Sequence, residues 1–209
     1  MDVILSTEKV DLQECDVLVS GLFQDERPLK GSSGWVDWRL NGMLSRFLIE
    51  KRLTGDWNET TLIPSYGRVI PGMILLLGLG KAKDYSYLRL RELSSHLLET
   101  LKNLNASHIC LALPYDERYS VDCGKSAEVL IEGIADYLDK SPSLLLNEEY
   151  VKGLRLFFSV EEERFPEILL GVQTAQSILK ERLKIRIFAP SGGRDGYQRT
   201  RISGDQAKI

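Results

Sequence analysis

Short runs of apolar residues alternate along the chain with longer segments whose apolar residues recur at helical spacing. Seven of the short runs are predicted to be strands: Val3–Ser6, Asp16–Phe23, Thr60–Ile63, Met73–Leu79, His108–Leu113, Leu154–Val160 and Lys184–Ala189. Several of them are apolar almost throughout, which is typical of central strands that helices bury on both faces. The pattern therefore predicts an α/β domain.

Four segments carry the spacing of amphipathic helices. They lie at about 34–53, 90–104, 127–138 and 168–179. Pro166 lies in the first turn of the last one, where proline is well tolerated. The stretch 141–153 has no such spacing, so we expect a connecting loop there.

These elements predict a three-layer α/β/α sandwich with a mixed, mostly parallel sheet. The connections at 6–16 and 63–73 are too short for helical crossovers and favour antiparallel outer strands. We expect one domain over residues 1–189. The remaining residues, 190–209, are rich in glycine and polar side chains, and we expect a flexible tail.

Charge and cysteine content narrow the possible partners. The chain has 27 Lys and Arg against 30 Asp and Glu, a net charge of −3, so nothing global attracts nucleic acid or an anionic membrane, and we expect neither as a partner. The three cysteines form neither a disulfide framework nor a CxxC motif. The first residues are not those of a signal peptide, and no apolar run reaches membrane-spanning length. We expect a cytoplasmic protein.

Few residues suggest catalysis. The two histidines, His96 and His108, have no second ligand at metal spacing, and GxSxG does not occur. We therefore expect no metal and no catalytic residue. Cys123 lies near charged neighbours that could activate its thiol, but we favour packing at a helix start as the explanation.

The best small-molecule candidate follows the second predicted strand. Lys30, Gly31, Ser32, Ser33 and Gly34 lead into a helix, and helix-start amides after a buried strand often hold an anion. A structural alternative stays open, in which the glycines supply turn geometry and one of the serines caps the helix.

The stretch DVLVSGLFQDERPLKGSSGWVDWRLNGML that begins at Asp16 resembles the amino-terminal domain of leucyl aminopeptidases. The strand 73–81, which ends in Gly-Lys, and the strand and helix that follow continue that family's order, so the resemblance covers about 16–138.

The resemblance implies a macro-domain-like fold and a non-catalytic domain. The family's zinc or manganese centre lies in a separate carboxy-terminal domain, whose Asn-Thr-Asp-Ala-Glu-Gly-Arg signature does not occur in this sequence. We therefore expect an assembly or regulatory module without a cofactor. Its partner would be a second copy of the chain or another protein, reached through an apolar surface that includes Trp35 or Trp57.

A more distant resemblance suggests an alternative function, a macro-domain-type binder or hydrolase of ADP-ribose or a related nucleotide. The same stretch is similar to the first ligand loop of macro domains that bind ADP-ribose, and Asp16, with the glycines at 31 and 34 and the Val-Asp pair at 36–37, would take the corresponding positions. The region expected to form the second phosphate loop has no glycine and carries Asp116 and Glu117, which would repel a diphosphate.

Overall fold

The computed structural model describes residues 1–115, 117–140 and 144–189. The strands in these ranges form one seven-stranded sheet. The strands are β1 Asp2–Ser6, β2 Val17–Leu22, β3 Thr60–Pro64, β4 Met73–Gly78, β5 His108–Ala112, β6 Arg155–Ser159 and β7 Arg186–Phe188. Their spatial order is β3-β4-β2-β5-β6-β1-β7. All seven predicted strands are confirmed, each within a few residues of its expected bounds.

Six α-helices connect these strands in the described part of the chain: α1 Gly31–Arg39, α2 Met43–Ile49, α3 Tyr87–Asn103, α4 Cys123–Lys140, α5 Leu144–Gly153 and α6 Phe165–Leu179. The single helix predicted over 34–53 is wrong, because two helices occupy that range. Asn41 and Gly42 between them have φ of 57° and 74°, a left-handed conformation that ends α1 and starts α2 in a new direction.

The loop predicted over 141–153 is also wrong, since α5 fills most of it. Its apolar residues come as a run at 144–146 and then at wider intervals, so no helical period is visible in the sequence. Tertiary contacts explain the helix instead. Val151 is buried, and the Tyr150 hydroxyl donates to the Ala106 carbonyl at 2.5 Å.

The expectation for the outer strands is half right. Strand β3 is antiparallel to β4, as expected for a short connection. Strand β1, however, lies between β6 and β7 and is parallel to both. The segment 7–16 does not turn back beside β1 but crosses from the end of β1 to the start of β2. Asp11 fixes this path, because its buried carboxylate accepts hydrogen bonds from Trp35 and Arg39.

The sheet separates two apolar cores, which confirms the three-layer α/β/α sandwich. Helices α1 and α2 cover one face through Val36, Leu40 and Leu44. Helices α3, α4, α5 and α6 cover the other face, which holds the larger core. The tail at 190–209 lies outside the described residues, and the domain boundary at 189 stays a prediction. No helix in the described part is both long and apolar enough to cross a bilayer.

Candidate functional site

The loop predicted to bind an anion, residues 30–34, follows the carboxyl end of β2 and forms the first turn of α1. Gly31 has φ of +56°, and a Cβ atom built there would meet nothing within 4 Å, so the backbone is open to solvent at this point. Gly34 has the opposite environment. A Cβ atom there would lie 2.6 Å from the Leu29 carbonyl oxygen. Gly34 is therefore needed for packing, and its amide already donates to the Lys30 carbonyl at 3.1 Å.

The two serines tie α1 to its surroundings instead of capping it. The Ser32 hydroxyl donates to the Ala112 carbonyl at 2.6 Å, at the end of β5, and the Ser33 hydroxyl donates to the Lys30 carbonyl at 2.9 Å. No side chain caps the first turn. The capping role considered for these serines is therefore wrong, and the first-turn amides of α1 keep the polarity that attracts anions.

The charge beside this turn is balanced. Lys30 lies outside the helix, and its Nζ is 3.5 Å from Oε1 of Glu26. The same oxygen accepts a hydrogen bond from the Tyr119 hydroxyl at 2.7 Å. Glu26 therefore offsets the positive charge that Lys30 brings to an incoming anion. Asp116 lies outside the described residues, and of Glu117 only the backbone is described, so their expected repulsion of a diphosphate stays a prediction.

Asp16 does not join this loop. It precedes β2, at the opposite end of that strand from α1, and its Oδ2 accepts hydrogen bonds from the amides of Ser107 and His108 at 2.8 and 2.9 Å. Burial opposes ionisation, but these amides outweigh it and lower the pKa of the Asp16 carboxyl. The structure thus places Asp16 as a link between β2 and β5. Its inclusion in the same ligand site was wrong, because a six-residue strand of about 20 Å separates the two ends.

An exposed tryptophan pair lies on the outer side of α1. The rings of Trp35 and Trp38 stack with centroids 5.0 Å apart, and 36% and 64% of these side chains are exposed. The Trp35 indole donates to Asp11 at 2.9 Å, and the Arg39 guanidinium lies over both rings. Burial alone would raise the pKa of the Asp11 carboxyl, yet the hydrogen bonds from Trp35 and Arg39 lower it. Asp11 therefore stays charged and holds the pair in place.

Trp57, the other tryptophan considered for an apolar surface, lies elsewhere. It is half-buried against the core under α3, and the Arg89 guanidinium covers its ring at 4.8 Å. It therefore offers less free surface than the pair on α1.

A cavity of about 340 Å³ opens where α3, α4 and α6 begin. Its lining is Tyr87, Tyr115, Ser120, Val121, Asp122, Cys123 and Arg164. Burial raises the pKa of the Cys123 thiol to about 12, so this sulfur is protonated at neutral pH and is no nucleophile. Burial likewise raises the pKa of Tyr115 to about 12. Among the residues that line the cavity, Asp122 and Arg164 are the charged ones.

Sequence reasoning missed both Glu26 and this cavity. The cavity residues follow the carboxyl ends of β4, β5 and β6, the edge where ligands collect in open α/β sheets, so strand order was the available signal. Within the described ranges, no three His, Cys, Asp or Glu side chains are grouped so as to hold a metal ion.

Comparison with known proteins places these features in context. Residues 19–140 match the family model described as the N-terminal domain of the cytosol aminopeptidase family. A probable cytosol aminopeptidase of a Sulfurihydrogenibium species is 26% identical over 111 residues, which are 53% of this chain and 22% of the relative. That of a Cyanothece species is 25% identical over 149 residues, which are 71% of this chain and 30% of the relative. The chain thus spans less than a third of the length of these curated relatives.

Solved structures show the same fold at low identity. A Trypanosoma brucei macrodomain in complex with ADP superposes with a TM-score of 0.59 at 13% identity, over 81% of this chain and 67% of that one. A tomato leucine aminopeptidase variant superposes with a TM-score of 0.55 at 19% identity, over 86% of this chain and 37% of that one. The macro-domain-like fold is thereby confirmed.

Proposed function

Because the chain belongs to the cytosol aminopeptidase family through that family's N-terminal domain, we propose that it acts as a non-catalytic assembly module that binds a second copy of itself. The observation that carries the proposal is the tryptophan pair on α1. Large exposed aromatic side chains are the usual anchors of protein interfaces.

The pair is built to bind without rearrangement. Trp35 is fixed by its hydrogen bond to Asp11, and the Arg39 guanidinium, itself paired with Asp11, holds both rings from one side. Trp38 stacks on Trp35 and has 64% of its side chain in solvent. An anchor whose rotamer is already set loses little side-chain entropy on binding, so more of its burial contributes to affinity.

Charge also suits a self-association surface. Asp11 neutralises Arg39 within the pair, so two copies can bring their tryptophans together without a net repulsion from the guanidinium groups. A stable interface of this kind buries about 1,200–2,000 Å² in total.

Sedimentation velocity over a concentration series tests this proposal. We expect the sedimentation coefficient of the wild-type chain to rise with concentration and that of Trp38→Ala to stay at the monomer value. Leu170→Ala is the matched control, since Leu170 is 66% exposed but lies on α6, on the opposite side of the sheet. A wild-type chain that stays monomeric at several hundred micromolar contradicts the proposal.

The second candidate function is binding of ADP-ribose or a related nucleotide at the first turn of α1. It is favoured by the uncapped turn at Gly31, and a macrodomain of the same fold is known in complex with ADP. Glu26 weighs against it, because a carboxylate 3.5 Å from the Lys30 ammonium reduces the attraction for a diphosphate. We therefore place this function second.

Calorimetry with ADP-ribose tests the second candidate. Binding would weaken in Lys30→Ala and strengthen in Glu26→Gln, and raised salt would reduce it in the wild-type chain. No heat at millimolar ADP-ribose eliminates nucleotide binding and leaves the assembly proposal untouched.

A further inference from the structure

The cavity where α3, α4 and α6 begin has no part in either proposed function. Its volume of about 340 Å³ falls within the range of small-molecule sites, about 300–1,000 Å³. Its lining residues follow the carboxyl ends of β4, β5 and β6, at the edge where open α/β sheets bind their ligands. The helices that surround it cover the opposite face of the sheet from α1. The cavity is therefore separate from the tryptophan pair and from the first turn of α1.

Asp122 gives the cavity one negative charge. Its carboxylate is held in place, because it accepts hydrogen bonds from the Tyr87 hydroxyl at 2.5 Å and from the Lys125 amide at 2.6 Å. Burial opposes ionisation, but these hydrogen bonds outweigh burial and lower the pKa of the Asp122 carboxyl. Asp122 is therefore an anion at neutral pH. A carboxylate has about four lone-pair sites, so it can accept further donors beyond these two.

Arg164 gives the cavity one positive charge. It immediately precedes α6, and its carbonyl accepts a hydrogen bond from the Cys123 thiol at 3.9 Å, which joins it to the start of α4. Its Nη1 donates to Glu167 at 3.1 Å. A guanidinium carries five N–H donors in a planar fork, so Arg164 can bind a second carboxylate beside Glu167.

The other lining side chains carry no charge at neutral pH. They are Tyr87, Tyr115, Ser120, Val121 and Cys123. Burial raises the pKa of Tyr115 and that of Cys123 to about 12, so both stay protonated. The rings of the two tyrosines offer surface against which an apolar or aromatic group packs favourably. The cavity thus combines one anion, one cation and aromatic surface.

We propose that this cavity binds a small zwitterion, an α-amino acid with an apolar side chain. The ammonium group of the ligand donates to Asp122, its carboxylate accepts from Arg164, and its side chain packs against the tyrosine rings. Charge balance favours a zwitterion over an ion of either sign. A ligand with only a carboxylate is repelled by Asp122, and a ligand with only an ammonium group is repelled by Arg164.

Calorimetry of the full chain with three ligands that share one carbon skeleton tests this pairing of charges. L-Phenylalanine carries both groups, 3-phenylpropanoate lacks the ammonium group, and 2-phenylethylamine lacks the carboxylate. We expect L-phenylalanine to bind at millimolar concentrations, and each of the other two to bind about tenfold more weakly or worse. L-Leucine should also bind, because its side chain is apolar.

Two variants separate the two charges. Arg164→Gln should weaken the binding of L-phenylalanine by about tenfold or more and leave that of 2-phenylethylamine unchanged or tighter. Asp122→Asn should weaken L-phenylalanine similarly and leave 3-phenylpropanoate unchanged or tighter, while asparagine still accepts the Lys125 amide. Arg182→Gln is the matched control, because Arg182 also pairs with carboxylates but lies beyond the other end of α6. It should leave all three affinities unchanged.

Three results would overturn the proposal. One is the absence of heat with both L-phenylalanine and L-leucine at millimolar concentrations. Another is an analogue with a single charge that binds the wild-type chain as tightly as L-phenylalanine does. The third is an Arg164→Gln variant that binds L-phenylalanine as well as Arg182→Gln does. If circular dichroism shows that a cavity variant does not fold, the comparison of the three ligands on the wild-type chain still decides.

Discussion

Helices α4 and α6 cross so closely that only glycine fits at the crossing point, which gives a sharp prediction for Gly171→Ala. A Cβ atom built on Gly171 would lie 2.0 Å from the carbonyl oxygen of Gly124 and 2.5 Å from its carbonyl carbon. An ordinary contact between such atoms is about 3.5 Å. The helices would have to separate by more than an ångström, since both clashing atoms belong to the backbone of α4.

The size of the effect follows from two opposing contributions. Overpacking of a close-packed interior costs about 1–3 kcal/mol, and the upper end applies because no side-chain rotation relieves a backbone clash. Alanine is better than glycine in a helix by about 1 kcal/mol. We therefore expect Gly171→Ala to lower the free energy of unfolding by about 2 kcal/mol, which corresponds to a fall in Tm of about 4–8 °C.

The assay is urea unfolding followed by far-ultraviolet circular dichroism. Gly153→Ala is the matched control, because Gly153 also lies in a helix but a Cβ atom there meets nothing within 4 Å. It should leave the stability unchanged or raise it. If the two variants agree within about 0.5 kcal/mol, the argument from the α4–α6 contact is refuted.

Three further predictions concern Asp11, Asp136 and peptidase activity. Asp11→Asn should lower the free energy of unfolding by about 1–2 kcal/mol, because Arg39 loses its anionic partner. Urea unfolding checks this, with Trp38→Ala as the control variant. Trp38→Ala should change the free energy of unfolding by less than about 0.5 kcal/mol. Acid should destabilise the fold, because hydrogen bonds from Arg91 and Arg182 lower the pKa of the Asp136 carboxyl. The contribution of Asp136 to the stability of the fold is complete above the unfolded pKa of about 4. It is lost as the pH falls toward the lower folded pKa. The urea midpoint of the wild-type chain should therefore fall between pH 5 and pH 3 more steeply than that of Asp136→Asn, and equal slopes would contradict this. The purified chain should not hydrolyse leucine anilide with added zinc or manganese; turnover that a chelator abolishes, in preparations free of host enzymes, would contradict this.

Sequence periodicity was sufficient for most of the fold. The strands were predictable because burial on both faces makes them nearly continuous in apolar residues, as in β4 and β5. Helix α5 and the break at Asn41 were not predictable, since one depends on tertiary contacts and the other on two residues in left-handed conformation. The prediction that β1 is an antiparallel outer strand failed for a topological reason, because no local sequence pattern shows that the segment 7–16 crosses the sheet.

The candidate site was predicted less well than the fold. The loop at 30–34 was located correctly at a strand end, but the hydroxyl contact of Ser32 with Ala112 joins residues far apart in sequence. The sequence pattern alone did not indicate that Glu26, four residues before Lys30, pairs with it. Asp16 was misplaced because the residues that precede and follow a strand are close in sequence but lie at opposite ends of that strand. Such pairings become visible only when the strands are ordered.

Hydrogen–deuterium exchange at low and high protein concentration tests the assembly proposal most directly. The account predicts that amides of the segment 31–39, which carries Trp35 and Trp38, gain protection as concentration rises, while those of α6 do not change. Trp38→Ala should remove this concentration dependence. Equal exchange of 31–39 at both concentrations, or protection that appears on α6 instead, would contradict the proposal that the tryptophan pair on α1 is the surface through which this domain assembles.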